Sequence, residues 1–530
     1  MSSILKKKPI LKILVCFLFF IVVIKIAVNI FTEPWLCKKI ELEIHTANEH
    51  YVAEIKKVNI SLLPPGIKIH DIKICLASDL VNSDSVICEI ESITLQDINL
   101  LKALFRHDVE IRLVTINKTN MDVTLSISKK DNPPLLMPLN IHVGKIQLNG
   151  LNMIIRDSLS AKSFISQECY ASIDDFLVHK GYELSFDNID NLNLRALLLG
   201  YISPDSLYTY KADSFNYSSS TQTLSATHFN ILPNYKGYDF TSRSRYQTDR
   251  IEASFTDILL YNFCAEDLLT QDRFNASYCE IGRLDLDVFR DRRKEFQHKL
   301  KPVFQDIFYK IPVTVNLDSV NLVSGNIVYT EHAENANHPG TIQFREAKAS
   351  LYNISNDSIR LNSNDSLKLI AEALVAGKGK LHIRARGKLF DSKNTFVMNG
   401  SLSSMAASDL NHILNHNAFI YAFGKIKTLN FGFTANNYAA HGKMLFLYND
   451  LAITLKNKTT DDTTGFKERL LTKLANKTML DSNPLNGQDS RVGIIEYKRD
   501  PEKTFFNYCL KSILSGIKSS VDKSSIRKKD

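Results

Sequence analysis

The chain has 530 residues, 44% of them hydrophobic, and a formal charge of +8 at pH 7. Its 20 glycines and 14 prolines are too few for a loop-rich or disordered chain, whereas 29 phenylalanines, 20 tyrosines and abundant Ile, Thr, Ser and Asn suit strands joined by polar turns. Much of the basic excess lies at the ends, in Lys6, Lys7, Lys8 and Lys12 and in Lys518, Lys523, Arg527, Lys528 and Lys529; the balanced middle lacks the basic, aromatic-interleaved stripe of a nucleic-acid-binding module, and the ends suit anionic lipid headgroups.

Ile10 to Phe31 form one apolar run, ILKILVCFLFFIVVIKIAVNIF, interrupted by Lys12, Lys25 and Asn29. As a helix it extends about 33 Å, enough for a hydrocarbon core of about 30 Å, with Lys12 and Lys25 near enough to its ends to snorkel. The core from Ile13 to Ile24 also has signal-peptide length, but no small-x-small cleavage site follows and the run stays apolar to Phe31. The expectation is an uncleaved signal anchor spanning 10–31. Lys6, Lys7 and Lys8 hold residues 1–9 in the cytoplasm and send everything after Thr32 across, giving a single-pass inner-membrane protein with a periplasmic body.

From Cys37 to about Leu455 the chain reads as short alternating runs, among them Val58 to Leu62, Ile67 to Ile74, Ile93 to Ile98, Val109 to Val114 and Met121 to Ile127. Pro64-Pro65-Gly66, Asp131-Asn132-Pro133-Pro134, Asn149-Gly150, His338-Pro339-Gly340 and Asn399-Gly400 mark turns. Helical patterns are few: Asp97 to Phe105, Arg292 to Phe308 broken near Pro302, Ala407 to Leu414, Phe466 to Leu480 and Glu502 to Lys518. Without helical crossovers the sheet cannot be doubly wound and is expected to be antiparallel. At about 15 residues per strand and turn the body holds on the order of 30 strands, roughly 140 Å of sheet at about 4.8 Å per strand. Open sheets do not grow so wide flat, so strong curl into an apolar trough is implied.

The expected fold is therefore mainly β: an N-terminal transmembrane helix, then an elongated, curled, groove-like antiparallel sheet in two parts, 32–300 and 301–460, with a few short helices. A helical region with a basic tail, 461–530, follows. Ile67, Ile69, Ile72, Ile74, Leu322 and Ile327 are candidate groove-wall residues, subject to which face of each strand turns inward. In the last helix Phe506, Cys509, Leu510, Ile513, Leu514 and Ile517 fall on one face. Phe506, Leu510, Ile513, Leu514 and Ile517 would either contact a membrane or cap the open end of the sheet.

Reactive constellations are hard to find. Cys37, Cys75, Cys88, Cys169, Cys264, Cys279 and Cys509 form no CxxC, and the pairs Cys75 with Cys88 and Cys264 with Cys279 could bridge or stay as small buried side chains. Tyr329 and Glu331 share a strand face, so a cross-strand structural role competes with an acid–base one. His45 with Glu49 and His50 has the wrong spacing for a zinc peptidase, His412 and His416 lack an intervening Glu, and Gly377-Lys-Gly-Lys380 is too short for a phosphate loop and reads as a turn. Sequons at Asn59, Asn117 and Asn275 carry little weight. No catalytic, metal or cofactor site is expected.

Several segments carry a family resemblance: Val58 to Ile74 after the anchor; Leu232-Pro-Asn-Tyr235, Gln247-Thr-Asp-Arg-Ile251 and Phe289-Arg-Asp-Arg-Arg293 in the middle; Asp318 to Glu331, Pro339 to Phe344 and Leu351 to Asn356 as the most specific stretch; and Gly442 to Leu451 with Phe505-Phe-Asn-Tyr508 near the end. They resemble the AsmA-like envelope proteins, in their short Bacteroidetes-type form. That family is related to the bridge-like lipid transfer proteins, whose repeated β-groove modules form a hydrophobic channel. The resemblance implies membrane lipids, phospholipid foremost, as partners, with an envelope protein as a further one, and a role in phospholipid transfer or outer-membrane integrity. A non-enzymatic scaffold for envelope proteins is the alternative, and an envelope hydrolase a distant third for want of a clustered site.

Overall fold

A computed structural model of the chain describes residues 32–47, 51–76, 85–99, 102, 108–125, 139–160, 162–182, 189–357, 359–360, 366–458, 462–485 and 488–523. The expected span Ile10 to Phe31 lies outside these residues, as do Arg527, Lys528 and Lys529. Among the described residues no helix is long and apolar enough to cross a membrane. Among the described residues twenty strands belong to one mostly antiparallel sheet, and the chain divides into two compact units, Met1–Ser206 with Lys211–Thr221, and Leu207–Tyr210 with Gln222–Asp530.

The first unit holds helix α1 (Glu33–Ala47) and strands β1 (Tyr51–Leu62), β2 (Pro65–Leu76), β3 (Ser85–Ile98), β4 (Asp108–Leu125), β5 (Asn140–Asp157), β6 (Ser163–Val178), β7 (Asn191–Ile202) and most of β8 (Tyr208–Ser218). Pairing from β1 to β7 follows chain order and is antiparallel except between β4 and β5.

These strands bend together at one level. The ladder skips Lys56 opposite Asp71, Asp71 opposite Glu91, Glu91 opposite Lys118, and Lys118 opposite Gly150. Asp71, Lys118 and Gly150 adopt positive φ there, and Lys56–Asp71 and Lys118–Glu91 close into ion pairs on the exposed side. Such a turn shifts the in–out phase by one residue, and because both partners carry it the register survives. Strict alternation would put Ile67 and Ile69 opposite Ile72 and Ile74. The break at Asp71 brings all four into one cluster with Ile55, Val58 and the α1 side chains Leu36, Cys37 and Ile40.

The second unit continues with β9 (Thr223–Pro233), α2 (Gly237–Ser242), β10 (Asp249–Tyr261), α3 (Ala265–Gln271), β11 (Arg273–Asp291), α4 (Phe304–Tyr309), β12 (Thr314–His332), β13 (Gly340–Ser355), β14 (Leu367–Val375), β15 (Gly379–Gly387), β16 (Phe396–Leu402) and the short β17 (Met405–Ala406). A 3-10 turn (Ala407–Leu410), α5 (Asn411–Asn417), β18 (Ile420–Ala435), β19 (Ala439–Leu455), α6 (Phe466–Thr478), β20 (Val492–Lys498) and α7 (Phe505–Val521) complete it. Here β11 and β12 run parallel and the other named pairs antiparallel.

Several expectations change. Strands number 20 instead of about 30, because they are long: β11 and β12 have 19 residues each. Val109 to Val114 and Met121 to Leu125 belong to one strand, β4. Two pairs are parallel, since a return connection without a long helix suffices to reset direction. Of Arg292 to Phe308 only the α4 turn is helical, and Asp97 and Ile98 finish β3, where Ile98 pairs with Ile111.

Helices cover both terminal edges, where unpaired backbone donors would otherwise invite another strand. On β1 the amides of Ile55 and Ile60 donate to the carboxylates of Glu41 (2.7 Å) and Glu33 (3.0 Å) in α1. On β20 those of Ile494 and Glu496 donate to the hydroxyls of Ser519 (3.0 Å) and Ser515 (3.2 Å) in α7.

Candidate functional site: an apolar sheet face with a charged rim

In the second unit the register aligns apolar residues into rows. Ile231, Ala253, Leu286, Ile327 and Phe344 lie across β9 to β13, as do Ala226, Ile258, Ile281, Leu322 and Ala349, and again Leu224, Leu260, Cys279, Val320 and Leu351. Pairing skips Gly282 opposite Val323, so Leu322 and Ile327, which differ in parity, share this face by the same phase shift as at Asp71. The opposite face is polar: Thr256, Arg283 and Ser324 align, as do Ser254, Asp285 and Asn326, and Arg283 grips Asp285 at 2.7 and 2.9 Å.

The same inner face continues to β20 with a different outcome. Phe396, Met398, Phe431, Phe433, Met444, Phe446, Tyr448 and Ile495 form a sealed cluster closed by Tyr508 and Cys509 of α7. Tyr448 and Ile495 are 0% exposed and Met444 1%. Between β9 and β13, by contrast, Phe255, Ile258, Leu284, Leu286, Leu322 and Ile327 remain half-buried and Ile251 is 38% exposed.

Helix α7 meets the sheet through Tyr508, Cys509, Ser512, Gly516 and Ser520. A methyl at Gly516 would stand 2.7 Å from Ile495 Cγ1, so contact this close requires the small-residue stripe. The five residues expected on one contact face are divided: Ile513 and Ile517 pack against the core, while Phe506, Leu510 and Leu514 point outward. Helical periodicity alone overrates large side chains here, because the tightest packing uses the smallest residues.

Toward the C-terminal end of β11 the apolar rows stop at a charged one. Asp249, Arg290 and Glu331 are register neighbours on the inner face. Glu331 accepts from Tyr329 Oη (2.7 Å), Asn417 Nδ2 (2.9 Å) and Arg292 Nη1 (3.0 Å). Among the described residues Arg290 makes one ion pair, Nη1 to Asp249 Oδ1 at 3.5 Å, and neither its Nε nor that Oδ1 has a hydrogen-bond partner. Desolvation pushes the Asp249 carboxyl above the usual range against the pull of Arg290, and burial, then Glu331, pushes the Tyr329 phenol up.

The segment 292–313 joins the parallel pair β11–β12. It pairs Glu295 with Tyr246, stacks Phe296 under Lys503, bonds Lys301 to Pro501 and Arg499, and sets Tyr309 on Leu389. Lys301 feels the Asp249 carboxylate, so this strap carries a cation toward the charged row.

Other singled-out residues do not converge. All seven described cysteines carry free thiols, and burial pushes Cys279 to about 11 and Cys509 to about 12, leaving both protonated. No group of three metal-binding side chains occurs among the described residues. Gly377 takes φ +68 in the β14–β15 turn, and His412 and His416 lie on α5. In the first unit Glu168, Tyr170, Arg195 and Ser214 line a shallow notch of about 350 Å³.

Reading the sequence did not single out Arg290 or Asp249. The signal was there: Leu284, Leu286, Val288 and then Arg290 keep one parity, so the arginine interrupts an otherwise apolar face. Compared with known proteins, the chain matches no protein-family model and no curated protein.

Proposed function

We propose that this is a membrane-anchored, AsmA-like envelope protein that shelters lipid acyl chains on the open apolar face of β9 to β13 and assists phospholipid transfer or outer-membrane integrity. One observation carries the reading: in apolar rows aligned across five strands, Phe255, Ile258, Leu284, Leu286, Leu322 and Ile327 are left half-buried on a sheet whose other face is mainly polar. Bare apolar area of this kind is costly in water, and each acyl CH₂ laid on it gains about 0.8 kcal/mol. From Ile251 to Leu260 the floor rises about 30 Å along the strand, the thickness of a hydrocarbon core. The basic residues flanking 10–31 and the run itself support anchoring in an inner membrane with the body in the periplasm.

The sealed cluster of β16 to β20 favours a second reading, a scaffold that fills its apolar face with its own side chains and binds an envelope protein elsewhere. Lipid extraction and native mass spectrometry of the full-length protein, purified in mild detergent, separate the two. Co-purifying phospholipid that is lost in Leu286→Asp but kept in the outer-face Thr256→Asp supports the groove. A folded, lipid-free wild type makes the scaffold the better reading.

A further inference from the structure

We propose that Arg290 and Asp249 form a headgroup site at the rim of the groove, taking the phosphate and the ammonium of a zwitterionic, amine-bearing phospholipid. This rests on the acyl-binding reading above and names the lipid class.

Other arginines of these strands and of the strap's start hydrogen-bond a carboxylate. Arg283 and Arg293 grip Asp285 and Asp291 through two bonds each at 2.7–2.9 Å, Arg250 meets Glu252 at 2.7 Å, and Arg292 meets Glu331 at 3.0 Å. Arg290 stands apart: its Nε has no partner and its one carboxylate neighbour lies at 3.5 Å without hydrogen-bond geometry. Asp249 Oδ1, the other half of that 3.5 Å ion pair, likewise has no hydrogen-bond partner. Buried polar groups left open are costly, and a donor and an acceptor left open side by side call for a ligand that carries both charges.

Position selects an amphiphile. Arg290 ends the file Leu284, Leu286, Val288, so a headgroup held there keeps its tails on the apolar rows. A guanidinium binds phosphate oxygens in a charge-assisted fork. A fatty-acid carboxylate or a purely anionic headgroup would satisfy Arg290 but face Asp249 with like charge. An ammonium instead donates to Oδ1 and favours the ionised carboxylate that desolvation disfavours.

The test uses the full-length protein in detergent, incubated with mixed vesicles containing equal phosphatidylethanolamine, phosphatidylglycerol and diacylglycerol and read by native mass spectrometry. Wild type is expected to hold phosphatidylethanolamine roughly tenfold over phosphatidylglycerol, the scale of one charge-assisted hydrogen bond. Arg290→Gln is expected to lose that preference while still taking diacylglycerol, and Asp249→Asn to shift occupancy toward phosphatidylglycerol. Circular dichroism melts establish that both variants fold. Lipid bound without headgroup preference, or a preference indifferent to both substitutions in folded protein, overturns the headgroup site alone. No uptake of any of the three lipids by wild type overturns the groove itself.

Discussion

Two stretches of one sheet face, β9 to β13 and β16 to β20, begin from the same alternation and end differently. In the second, Phe431, Phe433, Met444, Phe446 and Tyr448 are sealed under α7. In the first, Phe255, Leu284, Leu286 and Ile327 are equally apolar and stay half-buried: among the described helices α2 packs at the strand ends, where Tyr238 meets Phe289 and His332 and Phe240 meets Tyr208, and α5 meets this region where Asn417 bonds Glu331. An apolar face thus does not say whether it is core or lining. What lies over it decides, and here a small-residue helix closes one end while the other stays half-buried.

The largest test of that contrast is Phe433→Ala. Phe433 is 3% exposed inside the sealed cluster, so its truncation should cost about 3–5 kcal/mol, read as a drop in the urea midpoint. Leu286→Ala on the half-buried floor should cost no more than about 1–2 kcal/mol while lowering lipid occupancy. Equal destabilisation by the two would mean that the floor is ordinary core, and the distinction would fail.

The smallest expected effect is pH-dependent and lies at the rim. Asp249 has a raised carboxyl pKa, so its ionisation opposes folding at neutral pH and the penalty fades as pH falls through the folded value. Asp291 is the reverse: Arg293 holds its carboxyl below its ordinary range, so its stabilisation is full above the ordinary value and is lost as pH falls through the lower folded one. Asp249→Asn should therefore raise the melting temperature at pH 7, with the gain gone in acid, whereas Asp291→Asn should lower it. A melting temperature lowered by Asp249→Asn at pH 7 would remove the argument that Arg290 leaves this carboxylate under-compensated.

Much of the fold was legible. Alternation announced the strands, turn residues placed Pro64-Pro65-Gly66 and the Gly377 turn, and the spacing of Phe466 to Leu480 and Glu502 to Lys518 anticipated α6 and α7 within a few residues. That Ile67, Ile69, Ile72 and Ile74 are apolar was legible, but not that all four share one cluster under α1. The positive φ at Asp71 that reconciles them is a property of four neighbouring strands bending at one level, hinted at only by adjacent polar pairs such as Lys56-Lys57 and His70-Asp71. Helix α1 went unread because its apolar residues are spread round the helix, with Trp35 and Leu42 exposed, and its stability comes from packing on Ile55 and Val58 and from covering the β1 edge.

The sequence by itself determined that the protein is a β-rich body with one polar and one apolar sheet face, preceded by an apolar run of membrane-spanning length, because side-chain parity and hydropathy are local properties. Tertiary structure alone decided which apolar residues are sealed and which stay open, that two strand pairs run parallel, and that Arg290 meets Asp249 without saturating it. Those outcomes depend on which strands become neighbours and on what crosses over them, and long-range pairing of that kind leaves no periodic trace in the chain.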